Sequence, residues 1–181
     1  MRGLSVWIFS KMVMLIFLVV TFATVVGFLR LSNDRVMTDS AEALAMQVKD
    51  SMHATLYTST VSSHSFITLP KTIPETSENT QTGKPKAYTL VLGQSGETGE
   101  QVIYAAVGWG ENPDSFVAAA SFRTSGVLVT PQRCRLFSTN DRYLLIEKGI
   151  DTNGQASLWF KRCESFDESA CVDCCIDRDC S

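Results

Sequence analysis

Apolar and polar positions divide this chain into stretches of different rhythm. Met12–Leu29 (MVMLIFLVVTFATVVGFL) is an apolar run of 18 residues without a charge. As a helix it would rise about 27 Å, close to the roughly 30 Å hydrocarbon core of a bilayer. Apolar character begins at Leu4 and is interrupted only by Ser5, Ser10 and Lys11. The rhythm then becomes that of a half-wet helix. Met37, Ala41, Leu44, Val48, Met52 and Leu56 fall on one stripe, and Asp39, Glu42, Gln47, Lys49 and Asp50 lie between them. No glycine or proline occurs from Phe28 to Leu69, so no residue type forces the first helix to stop at the membrane surface. The pattern predicts one helix from Leu4 to about Ser59, ended by the Thr58–Ser63 run of weak helix formers. A break at Ser32-Asn33-Asp34, any of which can cap a second helix, is the competing arrangement. The stripe at Met37–Leu56 is expected to pack on the chain's own head, with packing between subunits as the alternative.

After residues 70–86, read as a linker because Pro70, Pro74 and Pro85 interrupt a polar stretch, the period shortens to that of strands. Ala87–Leu92, a Gly-rich turn at Gly93–Gly99 and Gln101–Val107 form an expected hairpin. Further short strands are expected at Ser115–Phe122, Gly126–Thr130, Arg135–Phe137, Arg142–Glu147 and Ala156–Arg162. Turn signals separate them at Glu111–Asp114, Thr139–Asp141 and Asp151–Gly154, which gives a mostly antiparallel sheet. Trp109, between Gly108 and Gly110, is expected to pack where backbones approach closely rather than to serve an exposed binding role. The fold class is therefore α+β: a long N-terminal transmembrane and amphipathic helix, an antiparallel β head, and a disulfide-stapled tail. Its expected segments are 1–29, 30–64, 65–162 and 163–181.

Composition adds compartment and excludes some functions. The 181 residues carry a net charge of −3 from 16 basic and 19 acidic side chains, which argues against a nucleic-acid partner. Charge is unevenly placed: +2 over residues 1–29, zero over 30–162 and −5 over 163–181. Arg2 and Lys11 face Arg30 and Arg35 across the span, so basic residues alone barely orient it. A cleaved secretory signal is the rival reading of the N-terminus. Its apolar core would be long, and the small-x-small pattern Ala43-Leu44-Ala45 lies far beyond that core. His53 and His64 have no third ligand at metal spacing, and Asp151-Thr152-Asn153-Gly154 lacks the later ligands of a calcium loop. No phosphate-binding glycine loop, nucleophile elbow or Cys/His pair at a diagnostic spacing is present. No catalytic residue, metal or cofactor is therefore assigned, and a non-enzymatic role is expected.

The cysteines settle the expected topology. Cys134, Cys163, Cys171, Cys174, Cys175 and Cys180 all lie in the last third of the chain. An even number clustered behind a membrane anchor reads as a disulfide framework outside the cytoplasm, with the N-terminus inside. Six cysteines allow 15 pairings, and adjacent Cys174 and Cys175 are expected to reach different partners. A bridge from Cys134 to the tail would fasten a segment whose only large apolar side chains are Phe166, Val172 and Ile176. The alternatives are a cytoplasmic zinc or iron–sulfur site on Cys171, Cys174 and Cys175, or thiol redox chemistry. Only one Cys-x2-Cys knuckle is present, and neighbouring acids disfavour thiolates.

A short basic start, an apolar helix running into an amphipathic one, and a β head with late disulfides resemble a type IV pilin. Arg2-Gly3-Leu4-Ser5 is similar to the basic-Gly-hydrophobic site cut by prepilin peptidases. The resemblance implies processing between Gly3 and Leu4, with the apolar helix retained. It covers residues 2–60 by pattern and the head by architecture. Bacterial pilins place glutamate at the fifth mature position, where this chain has Ile8, and Lys11 would need a partner inside a filament. Archaeal pilin-like proteins are looser at these positions, so the likeness is to an archaeal surface protein. It implies the lipid bilayer and neighbouring subunits as partners, the latter through the N-terminal helix.

Overall fold

A computed structural model describes residues 2–73, 85–96, 101–110, 116–151 and 153–174. The first helix, α1, runs unbroken over Arg2–Tyr57, 56 residues. The caps available at Ser32-Asn33-Asp34 are not used: the helix continues through all three residues, none of which is a proline or glycine that would break it. Two compact units divide at Val36 and Met37 rather than at the apolar run's end.

In the first unit α1 is an apolar rod. From Met12 to Leu29 every side chain is exposed except half-buried Val26. The two hydroxyls of this stretch are satisfied internally. Thr21 Oγ1 donates to the Phe17 carbonyl and Thr24 Oγ1 to that of Val20, each at 2.8 Å. Each hydroxyl is thereby satisfied by the helix's own backbone. The helix is long and apolar enough to cross a membrane. Lys11 Nζ lies 5.7 Å from the centre of the Trp7 ring, within reach of a cation–π contact.

The second unit is the head. Residues from Met37 onward turn the predicted stripe inward: Met37, Ala41, Leu44, Val48, Met52 and Leu56 are all buried, together with Ala45. From Ala41 onward they share one apolar cluster with residues of two sheets, so the stripe serves the chain's own core. The first sheet has the order β1-β7-β8-β5, with β9 also on β8. Its strands are β1 Ser63–Thr68, β5 Val127–Thr130, β7 Tyr143–Ile150, β8 Ala156–Cys163 and β9 Cys171–Asp173. The second has the order β4-β3-β2-β6, with β2 Tyr88–Ser95, β3 Gln101–Trp109, β4 Phe116–Thr124 and β6 Arg133–Phe137. Among the described residues, all strand pairings are antiparallel except that of β5 on β8.

Several expectations need correction. The helix stops at Tyr57, and His64, expected in a loop at the end of the 30–64 segment, belongs to β1 and stands opposite Glu147. Only one residue of Ser63–Thr68 is fully buried, so its apolar signal is faint. Gly93 is not the start of a turn: β2 continues to Ser95. Tyr104 covers Gly93 so closely that a Cβ there would lie 2.7 Å from its hydroxyl oxygen, which explains the glycine inside a strand. The linker's Pro74 and most of its polar stretch lie outside the described residues; Ile73 and Lys86 pair across it by two 3.0 Å backbone hydrogen bonds. Trp109 is half-buried against the core, with Lys86 Nζ 5.7 Å from its ring centre.

Candidate functional site

Two disulfides organise the end of the head. Cys134, on β6 of the second sheet, is bonded to Cys174, which follows β9 of the first. Both are buried, at 0% and 4% exposure, so this bond runs through the core and ties the two sheets together. Cys163, the last residue of β8, is bonded to Cys171, the first of β9, and the two stand opposite each other in the antiparallel register. Their Cα atoms are 4.1 Å apart, the short spacing of a non-hydrogen-bonded pair. Cys175 and Cys180 lie outside the described residues.

Strand β9 covers the half of β8 that β5 leaves open. Val127–Thr130 pairs Ala156–Trp159, and Cys171–Asp173 pairs Lys161–Cys163. Cys174 N–H then donates to the Phe160 carbonyl at 3.0 Å, closing the gap between them. A tail with little apolar surface is thus ordered by a strand pairing and two covalent bonds.

Residues 164–170 fold over the face of the first sheet that is turned away from the core. Phe166 lies 4.6 Å from Phe66 and 6.1 Å from Tyr143, ring centre to ring centre, and stays 68% exposed. A single helical turn at Glu168–Ala170 is capped by Asp167, whose Oδ1 accepts from Ser169 N–H at 3.0 Å. Those hydrogen bonds hold the Asp167 carboxyl below its ordinary range. Glu168 lies 3.6 Å from His64 Nε2, and Glu147 pairs with Lys161 at 2.7 Å. His64, Glu147 and Glu168 line a shallow cleft together with Lys148 and Trp159.

Away from the tail, Gln94 joins the sheets with its amide. Its Nε2 donates to Val127 O at 3.0 Å and its Oε1 accepts from Val129 N–H at 3.1 Å, standing in for a strand beside β5. Asp141, buried at the turn after β6, accepts from Phe137 N–H at 2.7 Å. Burial raises its carboxyl pKa, against the lowering effects of that hydrogen bond and of Arg162. Asp151 Oδ1 accepts from the N–H groups of Asn153 and Gln155, each at 2.8 Å, and Gly154 takes φ +80°. Asp151–Gly154 is therefore a hairpin turn between β7 and β8 whose acid is spent on backbone donors.

The disulfides commit Cys171 and Cys174, two of the three thiols of the zinc reading. Among the described residues no group of three His, Cys, Asp or Glu side chains is placed to hold a metal ion. His53 sits against Tyr57 and Phe122, at 4.5 and 5.3 Å between ring centres, and His64 is in β1; the two histidines occupy separate elements. Gly3 and Leu4 lie within α1, where the backbone is helical. Sequence reasoning did not find the Gln94 bridge, the Glu147–Lys161 pair or the His64–Glu168 contact. No local motif marks any of them, since each joins residues distant in the chain. Compared with known proteins, the chain matches no family model, no curated protein and no solved structure.

Proposed function

We propose that this chain is a non-enzymatic, membrane-anchored surface protein, built as a type IV pilin-like subunit or minor filament component. The N-terminus is cytoplasmic and the β head lies outside. The observation that carries the reading is the pairing of a helix that holds an 18-residue uncharged apolar run with a head fastened by two disulfides. Disulfides persist outside the reducing cytoplasm, and the apolar helix has no role in water. The Arg2-Gly3-Leu4-Ser5 opening supports processing after Gly3, with Leu4 as the new terminus. The bilayer is the first partner, and self-association through α1 is the second.

The anchor is tested by placing a charge at its centre. Ile16 is 59% exposed, so Ile16→Asp sets a carboxylate among lipid tails without disturbing the head. An aspartate at mid-span costs roughly 3 kcal/mol on insertion scales. Fractionation of the native host should then move the protein out of the membrane pellet. A variant that stays there at the parental level contradicts the anchor.

A further inference from the structure

A cleft of about 550 Å³ opens in the head between α1 and one end of the first sheet. Ala43, Leu44 and Gln47 line it from α1, and Leu69, Lys71 and Arg142 line it from the other side. Backbone bonds fix that other side. Leu69 N–H donates to the Arg142 carbonyl at 2.8 Å, which carries the β1–β7 pairing past Thr68 and sets Arg142 opposite Leu69. Lys71 follows after Pro70, whose carbonyl accepts from the Tyr88 hydroxyl at 2.7 Å. Beyond Lys71, Ile73 pairs with Lys86 by backbone bonds of 3.0 Å in both directions. The chain is thus tied on both sides of Lys71, and the cleft is preformed.

The charges of this cleft have one sign. Lys71 and Arg142 line it, and among the described residues no aspartate or glutamate does. Both side chains are exposed, and among the described residues neither engages an acid, a carbonyl or a ring. The head's other described lysines each do: Lys49 and Lys161 hold acids, Lys86 a ring and Lys148 a carbonyl. Neighbouring cations above low-dielectric walls focus the field in a cleft and draw in a counter-ion. Lysine offers a point charge and arginine a planar fork, and both suit phosphate oxygens. Leu44, Leu69 and Ile73 belong to the core cluster, so the inner wall is apolar. The volume also falls within the roughly 300–1,000 Å³ of small-molecule sites. We propose that this cleft binds a phosphorylated amphiphile, with its phosphate between Lys71 and Arg142 and its apolar part against Ala43, Leu44 and Leu69. A lipid headgroup and a soluble phosphate ester share that chemistry. The site belongs to the head and stands whether or not α1 builds a filament.

The test uses the full chain in phosphatidylcholine nanodiscs, with naphthyl phosphate as the probe and calorimetry against empty discs as the readout. Saturable binding is expected. It should be tighter than that of inorganic phosphate or of naphthol by on the order of tenfold or more, because each of these carries only half of the recognition. Lys71→Gln and Arg142→Gln should each weaken it on the order of tenfold. Ala43→Phe fills the cleft from the helix side without changing charge and should weaken it comparably. Lys49→Gln, outside the cleft, should leave it within about twofold, since a distant exposed charge is screened. Discs that also contain phosphatidylglycerol separate the two sources: loss of probe binding there assigns the phosphate to a lipid, and undiminished binding assigns it to a soluble ester. Intact disulfides and an unchanged circular dichroism spectrum show that each variant is folded; Lys71→Gln, at an exposed side chain, carries the test where another variant is not. Absence of saturable binding overturns the proposal. So does binding that survives Lys71→Gln or Ala43→Phe, or that falls equally with Lys49→Gln. Inorganic phosphate bound as tightly as the probe would leave the apolar wall without a role and also overturns it.

Discussion

Removing the Cys134–Cys174 bond should cost the head more than removing Cys163–Cys171. The first closes a sequence separation of 40 and the second one of 8. Chain entropy scales with the logarithm of loop length, giving about 4 kcal/mol for the long loop and about 2.5 kcal/mol for the short one. Because the short loop lies inside the long one, the long loop is effectively a few residues shorter, which lowers its figure by only a few tenths of a kcal/mol. Burial adds in the same direction: Cys134 and Cys174 are inside the core, and replacing both by alanine leaves a void. The perturbation is therefore Cys134→Ala with Cys174→Ala, compared with Cys163→Ala with Cys171→Ala. Urea unfolding of the full chain in detergent micelles, followed by near-ultraviolet circular dichroism, reports the head. Both variants should unfold at lower urea with a similar slope, the first by the larger free energy. Equal losses, or a larger loss for the short loop, would refute the loop-length reasoning. A loss below about 1 kcal/mol for the long loop would show that β9 and the core hold the tail without it.

Other predictions follow from the same core and its ionisable groups. Met52→Ala removes a fully buried side chain from the helix stripe and should cost about 2–5 kcal/mol in the same urea assay. Met46→Ala, on the exposed side of α1, should stay within about 0.5 kcal/mol; similar losses at both positions contradict packing of the stripe on the head. Asp141 gives a pH prediction with a definite sign. Its folded pKa is raised, so the folded state holds the proton more tightly and loses stability as pH rises from the ordinary value of 3.8 through the raised one. Asp141→Asn should remove that part of the pH dependence and raise the melting temperature at neutral pH; a lower one would mean that the charge on Arg162 outweighs burial.

Much of the architecture was legible because it rests on local pattern. The stripe from Met37 to Leu56 has the helical period over five turns, and every member is buried. The β2–β3 hairpin and the β7–β8 hairpin were visible because turn residues such as Asp151 and Gly154 separate runs of apolar residues. What was not legible depends on chain segments far apart. Ser63–Thr68 is polar enough to pass for a loop, and it becomes a strand because β7 supplies a complete antiparallel register. Val127–Thr130 and Ala156–Trp159 were both visible as strands, yet nothing in either announces that they run parallel. Strand β9 is three residues long and exists through its pairing with β8 and the Cys163–Cys171 bond. The cysteine count marked the tail as a disulfide framework, but geometry alone selects Cys134 with Cys174 and Cys163 with Cys171 among the pairings.

The central claim is an anchored chain whose head lies outside the cytoplasm. Intact mass answers it most directly, on protein taken from membranes of the native host and alkylated before and after reduction. The account predicts six cysteines that resist alkylation until reduced, and a mass lacking Met1–Gly3. Six free thiols before reduction would contradict it, returning the head to the cytoplasm and reopening the zinc reading of Cys171, Cys174 and Cys175.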